Sequence, residues 1–190
     1  MSNNLLKLRI TKTNLDIVDI NGFKYNLHLA EVQTLEDFKV LIPIFDDVLV
    51  GDVVSTTEWT ITHLGACDAN PIDLCVRVDK FTLITSGDYT LTKYLNTWVH
   101  GLLLVSEKNT LQCVGVNKKP FFVATLKIKD ECGNGFPMLL TSFGAVAKKM
   151  STMKKGFVLK CEVTVKRLRQ KNGWELSCLS VEVIQEGEKK

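Results

Sequence analysis

The sequence predicts an all-β protein made of two copies of one five-strand module, with a short helix in the second copy. Three observations predict it. β-branched and aromatic residues alternate with polar ones in short segments bounded by Gly, Asn and Pro turn signals. The order of these segments in residues 4–85 recurs in residues 98–184. Each half also carries a glycine-bearing lead-in to a long β-branched strand, VLVGDVV around Gly51 and MKKGFVL around Gly156. A single two-sheet sandwich would give the same element order.

The first module opens with NLLKLRI (4–10), and Asn21-Gly22 marks a turn before FKYNLHLAEV. In that segment Tyr25, Leu27, Leu29 and Glu31 take one side, and Asn26, His28 and Ala30 the other. FKVLIPIF (38–45) reads as a buried strand, VLVGDVVSTTEWTITHL (48–64) as a long one, and LCVRVDKFTLI (74–84) as the fifth. Residues 86–97 are the expected linker, so the domains are 1–85 and 98–190. In the second, WVHGLLLV is the first strand, and LQCVGV or PFFVATLKIKD the second. FPMLLTSFG follows the turn Cys132–Gly135. GAVAKKMSTMKK has helical spacing at Val146, Lys149 and Met150. GFVLKCEVTVKRLRQ and WELSCLSVEVI flank the hairpin turn Asn172-Gly173.

Composition narrows the function classes. The chain has 190 residues, 45% hydrophobic, which is enough for real cores. No apolar run is long enough to span a bilayer, and MSNNLLKLRI lacks a signal peptide's apolar stretch. A cytoplasmic location, bacterial or in an infected host, is therefore expected. None of the six cysteines makes a CxxC pair, and reduced thiols are expected. His28, His63 and His100 are scattered, so neither zinc nor another cofactor is expected. Asp46, Asp47 and Asp52 read as turn carboxylates rather than a Mg²⁺ site. No GxSxG, HExxH, Walker loop or GxGxxG occurs in a catalytic context, so an enzyme is not expected.

Charge is divided unevenly. Residues 1–100 hold eight Lys/Arg against thirteen Asp/Glu, and residues 101–190 sixteen against eight. The cations concentrate between Lys148 and Lys171. Such a cluster is either a solvated surface or a polyanion-binding site.

Five strands with a helix or loop between the third and fourth is the order of an OB-fold, a small Greek-key barrel. The step Lys155-Gly156-Phe157-Val158 into a long strand resembles the lysine-glycine lead-in of bacterial single-stranded DNA-binding proteins. The turn Gln170–Trp174 and the strand LSCLSVEVI are similar to that family's last hairpin. The likeness covers residues 98–185 in pattern and residues 4–85 in strand order. It implies two tandem OB-fold barrels. The chain's close, Glu186–Lys190, lacks the family's acidic, hydrophobic tip, and the tandem arrangement differs from a one-barrel protomer. Together these point to a phage- or mobile-element-encoded relative.

Binding a single strand without sequence choice needs cations along a groove and flat side chains for stacking. In 121–129, Phe121, Val123, Thr125, Lys127 and Lys129 share the outward face, and Phe122, Ala124, Leu126 and Ile128 the core face. In 157–167, Phe157, Leu159, Cys161, Val163 and Val165 face the core, placing Lys160, Glu162, Thr164 and Lys166 outward. Arg167, Arg169 and Lys171 run toward the hairpin tip, with Trp174 beyond, where it either packs across the hairpin or stacks. Lys148, Lys149, Lys154 and Lys155 flank the helix. Phe143 reads as core, and Phe45 and Trp59 as core or interface. These residues lead to the expectation of non-enzymatic single-stranded DNA binding in replication or recombination, by a homo-oligomer that associates with replication proteins and no membrane. RNA stays open as a ligand, because 2′-hydroxyl readout leaves no pattern. The alternative is an accessory subunit of a polymerase, primase or helicase, or a virion structural protein, with the acidic half contacting protein.

Overall fold

The computed structural model describes residues 4–64, 73–85, 89–105, 111–129, 135–168 and 173–186. The turns at 107–109 and 132–134, and Asn172 of the last hairpin turn, lie outside them. The chain divides into two compact units, residues 1–64 with 73–95 and residues 65–72 with 96–190. Residues 89–95 of the expected linker are fastened to the first unit. Thr92 exchanges backbone hydrogen bonds of 2.9 and 3.0 Å with Lys7 and Gln33, and Leu95 is buried.

The first unit contains β1 (Leu6–Ile20), β2 (Phe23–Val32), β3 (Leu35–Pro43), β4 (Val53–Leu64) and β5 (Asp73–Ile84). They close a barrel in the order β1-β2-β3-β5-β4, sealed by β1 against β4, with β3 and β5 parallel. Leu6, Leu8 and Ile10 fill the interior from alternate positions of β1, joined by Phe38, Val40, Val54 and Trp59.

The second unit contains β6 (Asn96–Leu104), β7 (Leu111–Val114), β8 (Lys119–Lys129), β9 (Gly135–Phe143), α1 (Gly144–Ser151), β10 (Val158–Arg167) and β11 (Trp174–Gln185). Its order is β6-β10-β11-β9-β8-β7, and β6 also pairs with β8 to close the ring. With β7 set aside, this is the first unit's topology again, including a parallel pair between third and fifth strands. Both candidates for the second strand are therefore strands: β7 folds back on β8 as an added sixth. Closure of each ring excludes the two-sheet sandwich. The alternation on β8 is as read, with Phe122, Ala124, Leu126 and Ile128 buried. Gly144, at φ 61, turns the chain sharply from β9 into α1, whose Ala147 and Met150 are buried.

The internal repeat extends to individual hydrogen bonds. Gly51 donates to the Ile10 carbonyl at 2.8 Å, and Ile10 donates to the carbonyl of Asp52, the residue after the glycine. Gly156 donates to the Leu104 carbonyl at 2.8 Å, and Leu104 donates to that of Phe157. The glycines have φ of 96 and 92°, a conformation that a Cβ disfavours. Ile10 and Leu104 lie on the first strand of their units, so the two lead-ins are the same joint built twice.

β2 departs from simple one-face burial. His28, Ala30 and Val32 face the barrel interior, while Tyr25 and Leu27 are buried on the opposite face. The cause is β1, which outruns the barrel after register shifts around Lys12. Its far half brings Val18 and Ile20 against a separate cluster of Tyr25, Leu27, Leu41 and Cys75.

His28 is the costly member of this strand. It is 1% exposed, its Nδ1 accepts the Asn14 N–H at 3.4 Å, and its Nε2 has no hydrogen-bond partner among the described residues. Burial lowers its pKa, so the folded state holds it neutral. The unfolded chain takes up a proton below about pH 6.5 that the folded chain refuses. This contribution to stability is therefore intact above that pH and is lost as the pH falls toward the depressed folded value. Urea midpoints measured from pH 8 to 5 should decline more steeply for the wild type than for His28→Gln. Equal slopes would remove His28 as the source.

Candidate nucleic-acid interface

The register of the second barrel fixes which outward side chains are neighbours. Phe121 of β8 is opposite Phe143 of β9, and Gln112 of β7 is opposite Phe121. The next row is Val123, Thr141, Ser177, Thr164 and Asn96, running from β8 through β9, β11 and β10 to β6. Beyond it come Thr125, Leu139, Glu175 and Lys166, and beyond that Lys127 and Pro137. Aromatic rings thus occupy one end of this face, and Lys127 and Lys166 the other. Six residues of strand separate Phe121 from Lys127, about 20 Å.

The rings of Phe121 and Phe143 have centroids 4.8 Å apart at 36°. Phe143 is 48% exposed, which corrects its reading as a core residue. It is the last residue of β9, and Ser142 before it takes the inward position at 0% exposure. Alternation then sends Phe143 outward. The middle row is hydroxyl-lined: Thr141, Ser177 and Thr164 are buried, and Thr164 donates to Asn96 Oδ1 at 2.7 Å.

The other predicted residues fall in different places. Lys127 and Lys166 are exposed on the face just described, with Glu175 directly across from Lys166. Lys160 is on the outer surface of β6, β10 and β11, where its Nζ is 3.1 Å from Glu182 and 4.6 Å from the Trp98 ring. Trp98 has no counterpart in the sequence reading. Arg167 shares the strand parity of Val165, not of Lys166, and lies 5.1 Å over the Trp174 ring directly across the hairpin. Lys148, Lys149, Lys154 and Lys155 are exposed on and just after α1, but Lys149 Nζ donates to the Val181 carbonyl at 2.7 Å. The side chain of Lys129, and all of Arg169 and Lys171, lie outside the described residues. Lys119, absent from the reading, is an exposed residue of β8 on the same face as Phe121, two positions earlier.

The corresponding face of the first barrel is built differently. Its β2–β3 surface is covered by the cluster around Leu41 instead of exposed rings. Arg77 lies 5.9 Å over the Tyr25 ring and pairs with Asp79 at 2.8 Å, while Lys39 pairs with Asp73. Tyr25 donates to Asp79 at 3.4 Å, and burial pushes its phenol pKa up. The cations on this face are neutralised where they stand.

No protein-family model and no curated protein sequence matches the chain. Solved structures do. The crystal structure of wild-type single-stranded DNA binding protein from Thermus aquaticus superimposes with a TM-score of 0.58 at 12% identity, covering 100% of this chain and 96% of that one. Both barrels are OB-folds. A deletion mutant of the same Thermus aquaticus protein gives a TM-score of 0.59, also at 12% identity, with 100% and 97% covered. The tandem OB-fold therefore carries the fold that the resemblance implied. Full coverage of a cellular organism's chain also means that two modules in one chain do not single out a phage or mobile element.

Among the described residues of the tandem OB-fold, no group of three or more His, Cys, Asp or Glu could hold a metal ion, and no helix is long and apolar enough to cross a membrane.

Proposed function

We propose that this chain is a non-enzymatic single-stranded DNA-binding protein of replication or recombination, with the outer face of its second barrel as the binding groove. The observation that carries this reading is the outward-facing Phe121–Phe143 pair, Phe121 partly buried and Phe143 exposed, set on the same face as Lys127 and Lys166. Every base offers a π-face, so two adjacent outward-facing rings accept any sequence, and the cations supply the phosphate term. Lys119 stands beside the rings, Arg167 and Trp174 continue the site onto the last hairpin, and the α1 lysines add positive charge around it. The likeness to Thermus aquaticus single-stranded DNA binding protein supports the same reading. The neutralised face of the first barrel suits a contact with protein instead.

The test is a binding series with single-stranded DNA, duplex DNA and single-stranded RNA at two salt concentrations. An interface with about four phosphate contacts weakens about 50-fold for a fourfold rise in salt. Single-stranded DNA should bind more tightly than duplex and show this dependence. Affinity that is absent, or indifferent to salt, removes the proposal.

A further inference from the structure

The loop between β3 and β4 is held in place and yet apolar outside. The Ile44 N–H donates to the Lys24 carbonyl at 3.1 Å, that of Asp46 to the Pro43 carbonyl at 3.0 Å, and that of Gly51 to Ile10 at 2.8 Å. The Asp52 carboxylate accepts the Leu49 N–H at 2.8 Å, and Val48 is a buried plug at 4% exposure. Within this frame Phe45 is 95% exposed, Leu49 71% and Val50 63%. Three large apolar side chains within six residues, on a hydrogen-bonded loop, form a patch of the kind that marks a contact surface. Exposed Asp46 and Asp47 lie between them, and the loop contains no Lys or Arg.

The complement of an acidic, apolar knob is a basic, apolar surface, and the second unit has one at its α1 end. Lys148 and Lys154 are exposed there. The bond from Lys149 to the Val181 carbonyl sets α1 beside the stretch of β11 where Leu179 is 47% and Ile184 54% exposed. The two halves of the chain also differ in the sign of their net charge.

We propose that the β3–β4 loop of one copy docks on the α1 end of the second barrel of another copy. The contact joins two different surfaces, so it is heterologous, and copies add head to tail instead of stopping at a closed pair. Opposite charges at its rim make it sensitive to salt. Along a polynucleotide the same contact would make neighbouring copies bind cooperatively.

The experiment is sedimentation of the full chain without nucleic acid, so that its outcome is independent of the DNA-binding proposal. The wild type should self-associate with rising concentration, less so at high salt. Phe45→Ser/Leu49→Ser should weaken association at least tenfold, as should Lys148→Glu/Lys154→Glu, each with an unchanged melting temperature. Mixing the two variants is the decisive arm. One retains the basic surface and the other the knob, so together they should form a 1:1 pair and nothing larger. The knob variant should also bind a short oligonucleotide, which holds only one copy, with wild-type affinity. A monomeric wild type, association unchanged in either variant, or a mixture that forms no pair would each overturn the proposal.

Discussion

Replacing Phe121 and Phe143 together by alanine should weaken single-stranded DNA binding about a hundredfold or more at fixed salt. Each base stacked on an aromatic side chain contributes about 1–3 kcal/mol, and about 1.4 kcal/mol is a factor of ten. The rings are in contact at 4.8 Å, so each single variant disturbs both and the two effects will not simply add. Anisotropy of a labelled oligonucleotide measures the loss. The slope of affinity against salt should be nearly preserved, because no phosphate partner has been removed. Lys127→Ala/Lys166→Ala should do the reverse, with a modest loss and a flatter slope. Phe121→Leu/Phe143→Leu separates stacking from apolar area: the leucines keep much of the buried surface but offer no π-face. Full affinity in the leucine variant would leave burial, not stacking, as the source. Phe143 is half exposed and Phe121 partly buried, so the alanine pair should lower the melting temperature somewhat and the leucine pair, which keeps most of the packing, less.

Most of the fold was legible, because period-two alternation and turn residues are local signals. Phe122, Ala124, Leu126 and Ile128 announce an inward face wherever the strand is placed. The paired glycine lead-ins were legible as a pattern, although their meaning as one hydrogen-bonded joint needed Ile10 and Leu104, which are distant in sequence. The second-face burial of Tyr25 and Leu27 was not legible. It depends on shifts in β1, whose partner is fixed only by tertiary pairing.

The site was harder to read than the fold for the same reason. Strand parity told Lys166 from Val165, but neighbours across strands are set by register. Phe143 by itself reads as core, yet parity counted from Phe136, Met138 and Leu140, all inward, already sends it outward. That signal was available in the sequence. Trp98 was different. Its relation to Lys160 arises only when β6 pairs with β10, more than fifty residues downstream, and no local pattern foretells it. Lys160 in turn looked like a cation available to phosphate, and only the pairing of β10 with β11 showed Glu182 opposite.

Trp59→Ala should have the largest effect on stability, and its consequences bear on function. Trp59 is 1% exposed in the first barrel, and its indole N–H donates to the Asn4 carbonyl at 2.9 Å. Truncating a buried Trp costs about 3–5 kcal/mol, and the carbonyl of Asn4 also loses its partner. Trp59→Phe should cost less, because most of the volume remains and mainly the hydrogen bond is lost. The other two tryptophans, Trp98 and Trp174, are both in the second unit. In the alanine variant intrinsic tryptophan fluorescence therefore reports the second barrel alone, while far-ultraviolet circular dichroism reports both. Each unit has its own core, so a urea titration should show the dichroism signal falling well before the fluorescence. At urea concentrations between the two transitions the first barrel is unfolded and the second intact. Oligonucleotide binding that persists in this window would place the groove on the second barrel, and binding lost with the first transition would assign it to the first.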